Sequence, residues 1–293
     1  MKKYAIYTAV VGNYDEILQP KVIDDRFDYI LFSNDMKDTN IGVWQVRPIN
    51  YTNEVQTKIA RWVKTHPEEL LPGYEFSIWM DANVRIKTSY TYSKSIDMYS
   101  SNIDVATIKH PKRNDIYSEC GAVLGYCLEK EDIVFEWVKV IHKAGYPAQR
   151  GLNETNVLYR RHCPVVKDMD ALWWNCIEQY SKRDQLSFNY VLWKLNIECK
   201  MFLPESVSAV NSPDYEYVFH SSNNRTRHVE NKSNIVRCNE NSPWIAVDYY
   251  TIIARSKCPK LLYFFINIYV KVKYIVKRVC PKALLNVIHN KRG

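Results

Sequence analysis

Short apolar runs alternate with longer segments of helical periodicity along most of this chain. Runs rich in β-branched and aromatic residues predict strands at 3–11, 28–33, 43–47, 76–81, 104–108 and 198–203. Apolar positions at helical spacing predict helices at about 53–65, 130–144, 166–180 and 183–195. This alternation is typical of a mostly parallel central sheet covered by helices. We therefore expect an α/β domain over residues 1–245, followed by a separate tail.

One predicted strand ends abruptly on a carboxylate. Residues 76–84 read FSIWMDANV, an apolar run that stops at Asp81, with Asn83 two positions later. Open α/β sheets bind their ligands at the carboxyl ends of the strands. The sequence therefore predicts a site near Asp81.

Two further segments suit a nucleotide that carries a diphosphate. The first strand runs into a turn where Gly12 permits close backbone approach and Tyr14 offers a ring for stacking, although an ordinary βα turn has the same composition. Lys58 and Arg61 lie one turn apart on the first predicted helix. Such a pair can grip a diphosphate, and it can equally be a solvated helix face.

Polar residues that follow later elements are candidates for the acceptor side of a site. His110 and Arg113 lie in HPKRNDIYSE (110–119), which is expected to be a loop directly after a strand. Asn153 and Glu154 are expected at a turn before an apolar segment.

The start of the last predicted helix carries an acid. With Ser181 as the expected N-cap, Asp184 falls in the first turn, where the helix dipole alone favours a negative charge. In the functional interpretation, Asp184 and Gln185 project into the cleft beside Asp81. Trp173 or Trp174 then offers a flat face to a sugar ring, unless these tryptophans belong to the core.

Charge separates the tail from the body. The chain has 293 residues and a formal net charge of +8, but ten Lys and Arg and no acid follow Asp248. The first 248 residues carry 30 basic against 32 acidic residues, which disfavours a nucleic-acid-binding body. The apolar run LLYFFINIYV is half of the roughly 20 residues that span a bilayer. Residues 246–293 therefore predict a basic amphipathic helix on an anionic membrane surface, or one packed on the body.

The cysteines bear on the compartment. Eight cysteines are scattered without a C-x-x-C pair, which predicts reduced thiols. We accordingly expect a cytoplasmic protein, peripheral on the inner face of the membrane.

Six blocks of the chain in order resemble the glycosyltransferase-like domain family that includes the plant TOD1 and MUCI70 proteins. The blocks are YTAVVGNYD (7–15), KIARWVKTHPEELLP (58–72), SIWMDANVRI (77–86), HPKRNDIYSE (110–119), YPAQRGLNETNVLYRRH (146–162) and WWNCIEQYSKRDQLSFNYVLWK (173–194). The resemblance implies a GT-A-type, Rossmann-like fold that uses a nucleotide-diphospho-sugar donor, with UDP-sugars favoured.

The resemblance also implies roles for particular residues. The donor nucleotide would contact the end of the first strand, the basic pair on the first helix and a D-x-D-like turn: Thr8, Ala9, Val11, Tyr14, Lys58, Arg61, Asp81, Ala82 and Asn83. The acceptor or sugar would contact His110, Arg113, Trp174 and Gln185, while Asp184 or Glu154 would position or deprotonate its hydroxyl.

A divalent metal, Mn²⁺ or Mg²⁺, is implied at the D-x-D-like position. Its ligands would be Asp81, Asn83 and the later His220, although a lone histidine is often structural. The sequence departs from D-x-D because Asn83 is neutral and binds a hard cation more weakly than a carboxylate.

Together these features predict a glycosyltransferase that moves a sugar to a hydroxyl of a glycan or lipid-linked acceptor in surface or capsule polysaccharide synthesis. A second hypothesis is a catalytically silent module that binds nucleotide-sugar or glycan and recruits partners at the membrane. A phosphodiesterase or hydrolase with two metals is disfavoured, since clustered His and Asp spacing is lacking.

Overall fold

A computed structural model describes residues 3–12, 16–218, 247, 249–257, 265, 268–272 and 275–276. Two compact units are present, one drawn from residues 1–113 and 151–226 and the other from 114–150 and 227–293. The boundary expected between residues 245 and 246 stays a prediction.

The first unit is built around an eight-stranded sheet. Its strands, in spatial order, are β3 (Asn40–Ile41), β4 (Trp44–Arg47), β2 (Phe27–Phe32), β1 (Tyr4–Ala9), β5 (Phe76–Met80), β8 (Asn153–Arg161), β7 (Val105–Lys109) and β9 (Lys200–Met201). A second, two-stranded sheet pairs β10 (Tyr215–Tyr217) with β6 (Val84–Ile86). The helices of this unit are α1 (Gln56–Thr65), α2 (Pro67–Leu70), α3 (Tyr90–Ser100), α6 (Pro164–Gln179) and α7 (Gln185–Lys194).

The expected α/β fold, a central sheet flanked by helices, is confirmed. Strands β4, β2, β1 and β5 run parallel, and all five residues of β5 are buried, as a central strand covered on both faces requires. Side chains alternate between the two faces, so Tyr7 contacts α1 while Ile6 joins the core on the other face.

Strand β8 is a correction to the sequence analysis. Asn153 and Glu154 do not form a turn, because they begin a nine-residue strand that runs antiparallel between β5 and β7. The strand reads NETNVLYRR, with polar residues at both ends, so its apolar pattern is too short to predict it. Burial from two neighbouring strands stabilises it instead.

The second unit contains α4 (Ile116–Gly125), α5 (Glu131–Lys143) and α8 (Tyr249–Lys257). The loop expected over 110–119 ends at Asp115, whose carboxylate accepts the Ser118 N–H at 2.7 Å and caps α4. Cys127 is disulfide-bonded, so the expectation that all cysteines are reduced is wrong for this residue. Four others, Cys120, Cys163, Cys176 and Cys199, are free thiols.

Candidate functional site

Asp81 lies directly after the central strand β5, at the carboxyl end of the parallel strands. Its backbone N–H donates to the Asn156 carbonyl at 2.8 Å, which fixes the chain where it leaves the sheet. The Trp79 Nε1–H donates to Asp81 Oδ1 at 2.7 Å and orients the carboxylate. The Asp81 side chain is 30 % exposed, so it can still meet a ligand.

Helix α1 places two cations beside this carboxylate. Lys64 Nζ lies 3.6 Å and Arg61 Nη1 4.0 Å from Asp81 Oδ1. The Lys64 side chain is completely buried, between the rings of Trp79 and Trp173 at 5.4 and 5.6 Å from their centroids. Arg61 is 15 % exposed and is therefore the cation that a ligand can reach.

Asp184 completes the cluster from the start of α7. Its Oδ2 accepts from Lys64 Nζ at 2.5 Å and from the Thr155 hydroxyl at 2.8 Å, and its Oδ1 lies 3.0 Å from Arg61 Nε. The Trp173 Nε1–H donates to its backbone carbonyl. Lys64 and Asp184 lie 120 positions apart in the chain. Together with Arg61 and Asp81 they form what we call the ionic cluster: Arg61, Lys64, Asp81 and Asp184.

The cap of α7 differs from the expectation. The N-cap is Asp184 and not Ser181, and the Asp184 side chain makes no cap hydrogen bond. The Ser181 hydroxyl accepts the Arg183 N–H instead. The Asp184 carboxylate therefore serves the ionic cluster, so the helix dipole does not by itself account for an acid at this position.

Charge within the cluster controls protonation. Burial alone would raise the pKa of Asp184, but Arg61 and Lys64 outweigh burial and hold that pKa well below its usual range. Burial lowers the pKa of Lys64, and the attraction of Asp184 and Asp81 opposes that change. Asp184 consequently stays ionised near neutral pH and is a poor acceptor for a proton.

A second buried network supports the end of α1. The Tyr7 hydroxyl donates to the Lys64 carbonyl at 2.9 Å, and Arg160 Nη2 donates to the same carbonyl at 2.6 Å. Arg160 also donates to Asp170 Oδ1 at 2.5 Å. These bonds satisfy a carbonyl of the last helical turn and hold Lys64 in place from the backbone side. Sequence analysis did not single out Tyr7, Lys64, Arg160 or Asp170.

A narrow cleft, with an internal volume of only about 10 Å³, lies beside Asp81. Thr8 and Ala82, both expected at the donor, line it together with Leu18, Trp44 and Asp81. The Thr8 hydroxyl is buried and has no hydrogen-bond partner within the described part of the chain. The expected donor residues Ala9 and Val11 continue the chain from Thr8, while Tyr14 lies outside the described residues.

Asn83 is joined to the two-stranded sheet. The Val218 N–H donates to the Asn83 carbonyl at 2.9 Å, just after β10 ends at Tyr217. Tyr217 also hydrogen-bonds to the Asn83 side chain, and burial, with Asp81 and Glu154 adding to it, raises the pKa of its phenol. Tyr217 was missed by the sequence analysis because only β10 brings it next to the turn at 81–83. His220 lies outside the described residues.

Other candidates make contacts of their own. Lys58 Nζ donates to the Glu178 carbonyl at 2.7 Å, at the end of α6. Gln185 donates to the Asn153 carbonyl at 3.0 Å and ties α7 to β8. Glu154 Oε2 lies 3.4 Å from the Ala209 N–H.

The remaining candidates lie among rings and a loop. Trp174 packs edge-on to Tyr51 and His66, with centroids 5.5 and 5.6 Å away. His110 and Arg113 contact each other, with Nε2 and Nη2 3.0 Å apart. Burial, with Arg113 beside it, lowers the pKa of His110 to about 3.

The described residues do not fit a metal centre built by the protein alone. No group of three or more His, Cys, Asp and Glu among them can hold an ion. The ionic cluster contains two carboxylates and two cations, so it has no excess negative charge to attract a hard divalent cation. Asp81 is the residue here through which a metal would be held.

The domain is a helix-flanked α/β sheet with charged side chains at the carboxyl end of its central strand. This is the place where α/β domains of this class bind their ligands. The family model described as "TOD1/MUCI70, glycosyltransferase-like domain" matches residues 1–212. The chain belongs to this family.

Two relatives from Arabidopsis thaliana are similar in sequence over part of this chain. "Alkaline ceramidase TOD1" is 22 % identical over 230 residues, covering 67 % of this chain and 49 % of the relative. "Probable hexosyltransferase MUCI70" is 24 % identical over 196 residues, covering 62 % and 34 %. The chain thus spans about half or less of the length of these relatives.

Solved structures with a similar fold include the bifunctional glycosyltransferase WbbM, with a TM-score of 0.44 and 12 % identity over 90 % of this chain and 51 % of the other. The galactosyltransferase LgtC, with donor and acceptor sugar analogues, has a TM-score of 0.39 and 12 % identity over 88 % and 98 %.

Proposed function

We propose that this chain is a glycosyltransferase that uses a nucleotide-diphospho-sugar, with UDP-sugars favoured. The observation that carries the proposal is the ionic cluster at the rim of β5, where the Asp81 carboxylate is 30 % exposed beside Arg61. Membership of a glycosyltransferase-like family supports it.

In this proposal, Arg61 meets the charge that develops on the departing diphosphate. It is the partly exposed cation of the cluster, and Asp184 fixes it through Nε at 3.0 Å. Preorganised charge of this kind acts without reorganisation at the moment of reaction. Lys64 is fully buried, so it acts through its field and by holding Asp81 and Asp184.

The acceptor hydroxyl needs a base or a positioning group. Asp184 is held ionised by two cations, so we assign it to positioning Arg61 and Lys64. Glu154 is the better candidate for the base, since its charge acts on Tyr217, whose side chain bonds to Asn83 next to Asp81.

The first test is a thermal-shift screen of UDP-, GDP-, CDP- and dTDP-sugars with Mn²⁺ and with EDTA, followed by donor turnover. A ligand that binds the folded state alone raises its stability by mass action. We expect one donor to shift the unfolding temperature, and we expect Asp81→Ala to remove both the shift and turnover. If the donor raises the unfolding temperature only with Mn²⁺, we would assign the predicted metal to Asp81. If it does so in EDTA as well, we would assign neutralisation of the diphosphate charge to Arg61.

Two results would contradict the proposal. If donor binds without turnover under any condition, the catalytically silent binding module is the better description. If the protein hydrolyses ceramide and no sugar nucleotide, it is a ceramidase, as the name of its relative TOD1 states for that protein.

We also propose that the tail lies on an anionic membrane surface on the cytoplasmic side. Among described residues, no helix is long and apolar enough to cross a bilayer. Six exposed apolar residues recur at helical spacing: Phe265, Ile268, Tyr269, Val272, Ile275 and Val276. Ten Lys and Arg and no acid follow Asp248, and each basic residue near such a surface contributes about 1 kcal/mol.

The tail is tested by co-sedimentation with phosphatidylglycerol vesicles and with phosphatidylcholine vesicles. We expect serine at Phe265, Tyr269 and Val272 together to release the protein from the anionic vesicles. Tyr250→Ser is the matched control, because Tyr250 is 79 % exposed but lies outside the stripe. The membrane proposal would be contradicted if the triple serine variant bound the anionic vesicles as well as Tyr250→Ser does. Wild-type binding by a chain that lacks residues 259–293 would contradict it too.

A further inference from the structure

A second cleft, of about 500 Å³, opens in the first unit away from the ionic cluster. Strands β2 and β4 supply Asp28, Gln45 and Arg47 to its lining, and the segment between α2 and β5 supplies Pro72 and Tyr74. Its volume lies in the range of roughly 300–1,000 Å³ that is usual for ligand pockets.

Strand register explains why these polar side chains meet. Gln45 pairs with Ile30 and Arg47 with Phe32, so both share a sheet face with Asp28, two residues before Ile30. Trp44 directly precedes Gln45, so its side chain points to the opposite face of the sheet, where it lines the cleft beside Asp81. The two clefts therefore lie on opposite faces of β4.

The two clefts are also separated along the sheet. Tyr74 comes just before β5 and Asp81 just after it. Arg47, by contrast, lies level with Asp81 but three strands away, because Arg47 pairs with Phe32, Phe32 pairs with Ala9, and β1 is in register with β5. With neighbouring strands about 4.8 Å apart, the second cleft therefore begins roughly 15 Å from Asp81. A ligand in it cannot be the group that reacts at Asp81.

The chemistry of the second cleft suits a neutral, hydroxyl-rich ligand. The Tyr74 hydroxyl donates to Asp28 Oδ2 at 2.8 Å, and Arg47 donates to Gln45 Oε1 through Nε at 3.1 Å and Nη2 at 2.8 Å. The charges of Asp28 and Arg47 offset each other, so a nucleotide diphosphate gains little there. Planar amide, carboxylate and guanidinium groups offer donors and acceptors in fixed directions.

Apolar surface lies next to these polar groups. The exposed Pro72 and the partly exposed Val43 also line the cleft, with the buried Tyr74 beside them. A sugar has polar hydroxyls at its edge and C–H groups on its faces, so it needs hydrogen-bonding groups and a flat apolar surface together. The second cleft offers both.

We propose that the second cleft binds a neutral oligosaccharide, as a remote subsite for the glycan acceptor. This role rests on the proposed glycosyltransferase function, because a transferase that extends a glycan has an acceptor with a long part away from the reacting end. The subsite would favour acceptors long enough to reach from Asp81 to Arg47. It would add affinity without touching the donor, since the two sites are then linked through one ligand.

The test measures binding of neutral pentasaccharides, without donor, by saturation-transfer NMR and calorimetry. The probes are cello-, xylo-, malto-, manno- and galacto-pentaose, each beside its monosaccharide. We expect at least one pentaose to bind the wild-type chain, with about tenfold weaker binding after Gln45→Ala or Arg47→Ala. Gln45 is exposed, so its substitution keeps the fold, and Asp81→Asn should leave this binding unchanged.

Three results would overturn the proposal: no pentaose binds, binding survives both cleft variants, or binding is lost in Asp81→Asn. Donor turnover is measured separately on the same proteins, and Gln45→Ala should leave donor hydrolysis unchanged. Pentaose binding without any donor turnover would keep the glycan site and overturn the proposed transferase function. Donor turnover without pentaose binding would keep the proposed transferase function and overturn the glycan site in the second cleft.

Discussion

At the scale of single residues, the site depends on charges that are buried together. Lys64 has no exposed surface, and its ammonium group is compensated by Asp184 at 2.5 Å and Asp81 at 3.6 Å. A buried charge without a partner costs several kcal/mol, so Lys64 and Asp184 must be retained or replaced together.

We expect Asp184→Ala to lower the free energy of unfolding by roughly 3–5 kcal/mol, because it leaves Lys64 buried without its nearest partner. Urea denaturation followed by fluorescence measures this change. Adding Lys64→Met to Asp184→Ala should recover much of the loss, since the double variant no longer buries an unpaired charge.

Simple additivity of the two substitutions would contradict this account. A loss below about 1 kcal/mol for Asp184→Ala alone would do the same, since a truly buried pair costs more to break. Thr155→Val is a milder comparison, because it removes one of the hydrogen bonds to Asp184 and leaves the ion pairs intact.

At the scale of elements, local signals and long-range contacts have separate effects. The helices α1, α5, α6 and α7 are confirmed because their apolar periodicity is long enough to detect. Helix α4 was missed, although its start carries a recognisable cap: Asp115 precedes an apolar segment, with Ser118 three residues later. Strand β8 has no comparable local signal and depends on β5 and β7 for its pairing.

Asp115→Ala should lower the free energy of unfolding by about 0.5–2 kcal/mol, because the Ser118 N–H loses its acceptor at the start of α4. Asp115→Asn is the matched control, since asparagine caps a helix about as well as aspartate. Hydrogen exchange at the first turn of α4 should quicken in Asp115→Ala and stay slow in Asp115→Asn. Equal exchange in the two variants would show that the cap does not stabilise this helix.

At the scale of the whole molecule, stability should depend on pH through partly buried histidines. Burial, and then Arg160, lowers the pKa of His162 to about 4. The unfolded chain binds a proton near pH 6.5, whereas the folded chain binds it only near pH 4, so the free energy of unfolding falls as pH drops through this window. The loss is up to about 3 kcal/mol, since each unit of pKa shift is worth about 1.4 kcal/mol.

Urea denaturation at pH 7.5, 6 and 5 tests this dependence. His162→Gln cannot titrate, so its stability should fall less between pH 7.5 and 5 than that of the wild type. The slope that remains should come partly from His110, whose pKa is also lowered. An unchanged slope in His162→Gln would mean that folding does not shift the pKa of His162.

The sequence by itself determined the fold class, the family and the position of Asp81. Each of these depends on local patterns: a helix or a strand shows its periodicity within a few residues, and a carboxylate at the end of an apolar run marks the rim of a sheet. Arg61 was identified for the same reason, as part of a basic pair on a predicted helix.

Only the tertiary structure decided which charges meet. Lys64 follows Arg61 by three residues, and the sequence alone would predict that it lies on a solvated helix face. It is buried instead, because Asp184, 120 residues later, compensates its charge. Tyr217 and Asn83 meet through the pairing of β10 with β6. Contacts between distant segments leave no periodic signal in the chain, because they depend on which elements become neighbours in the folded protein.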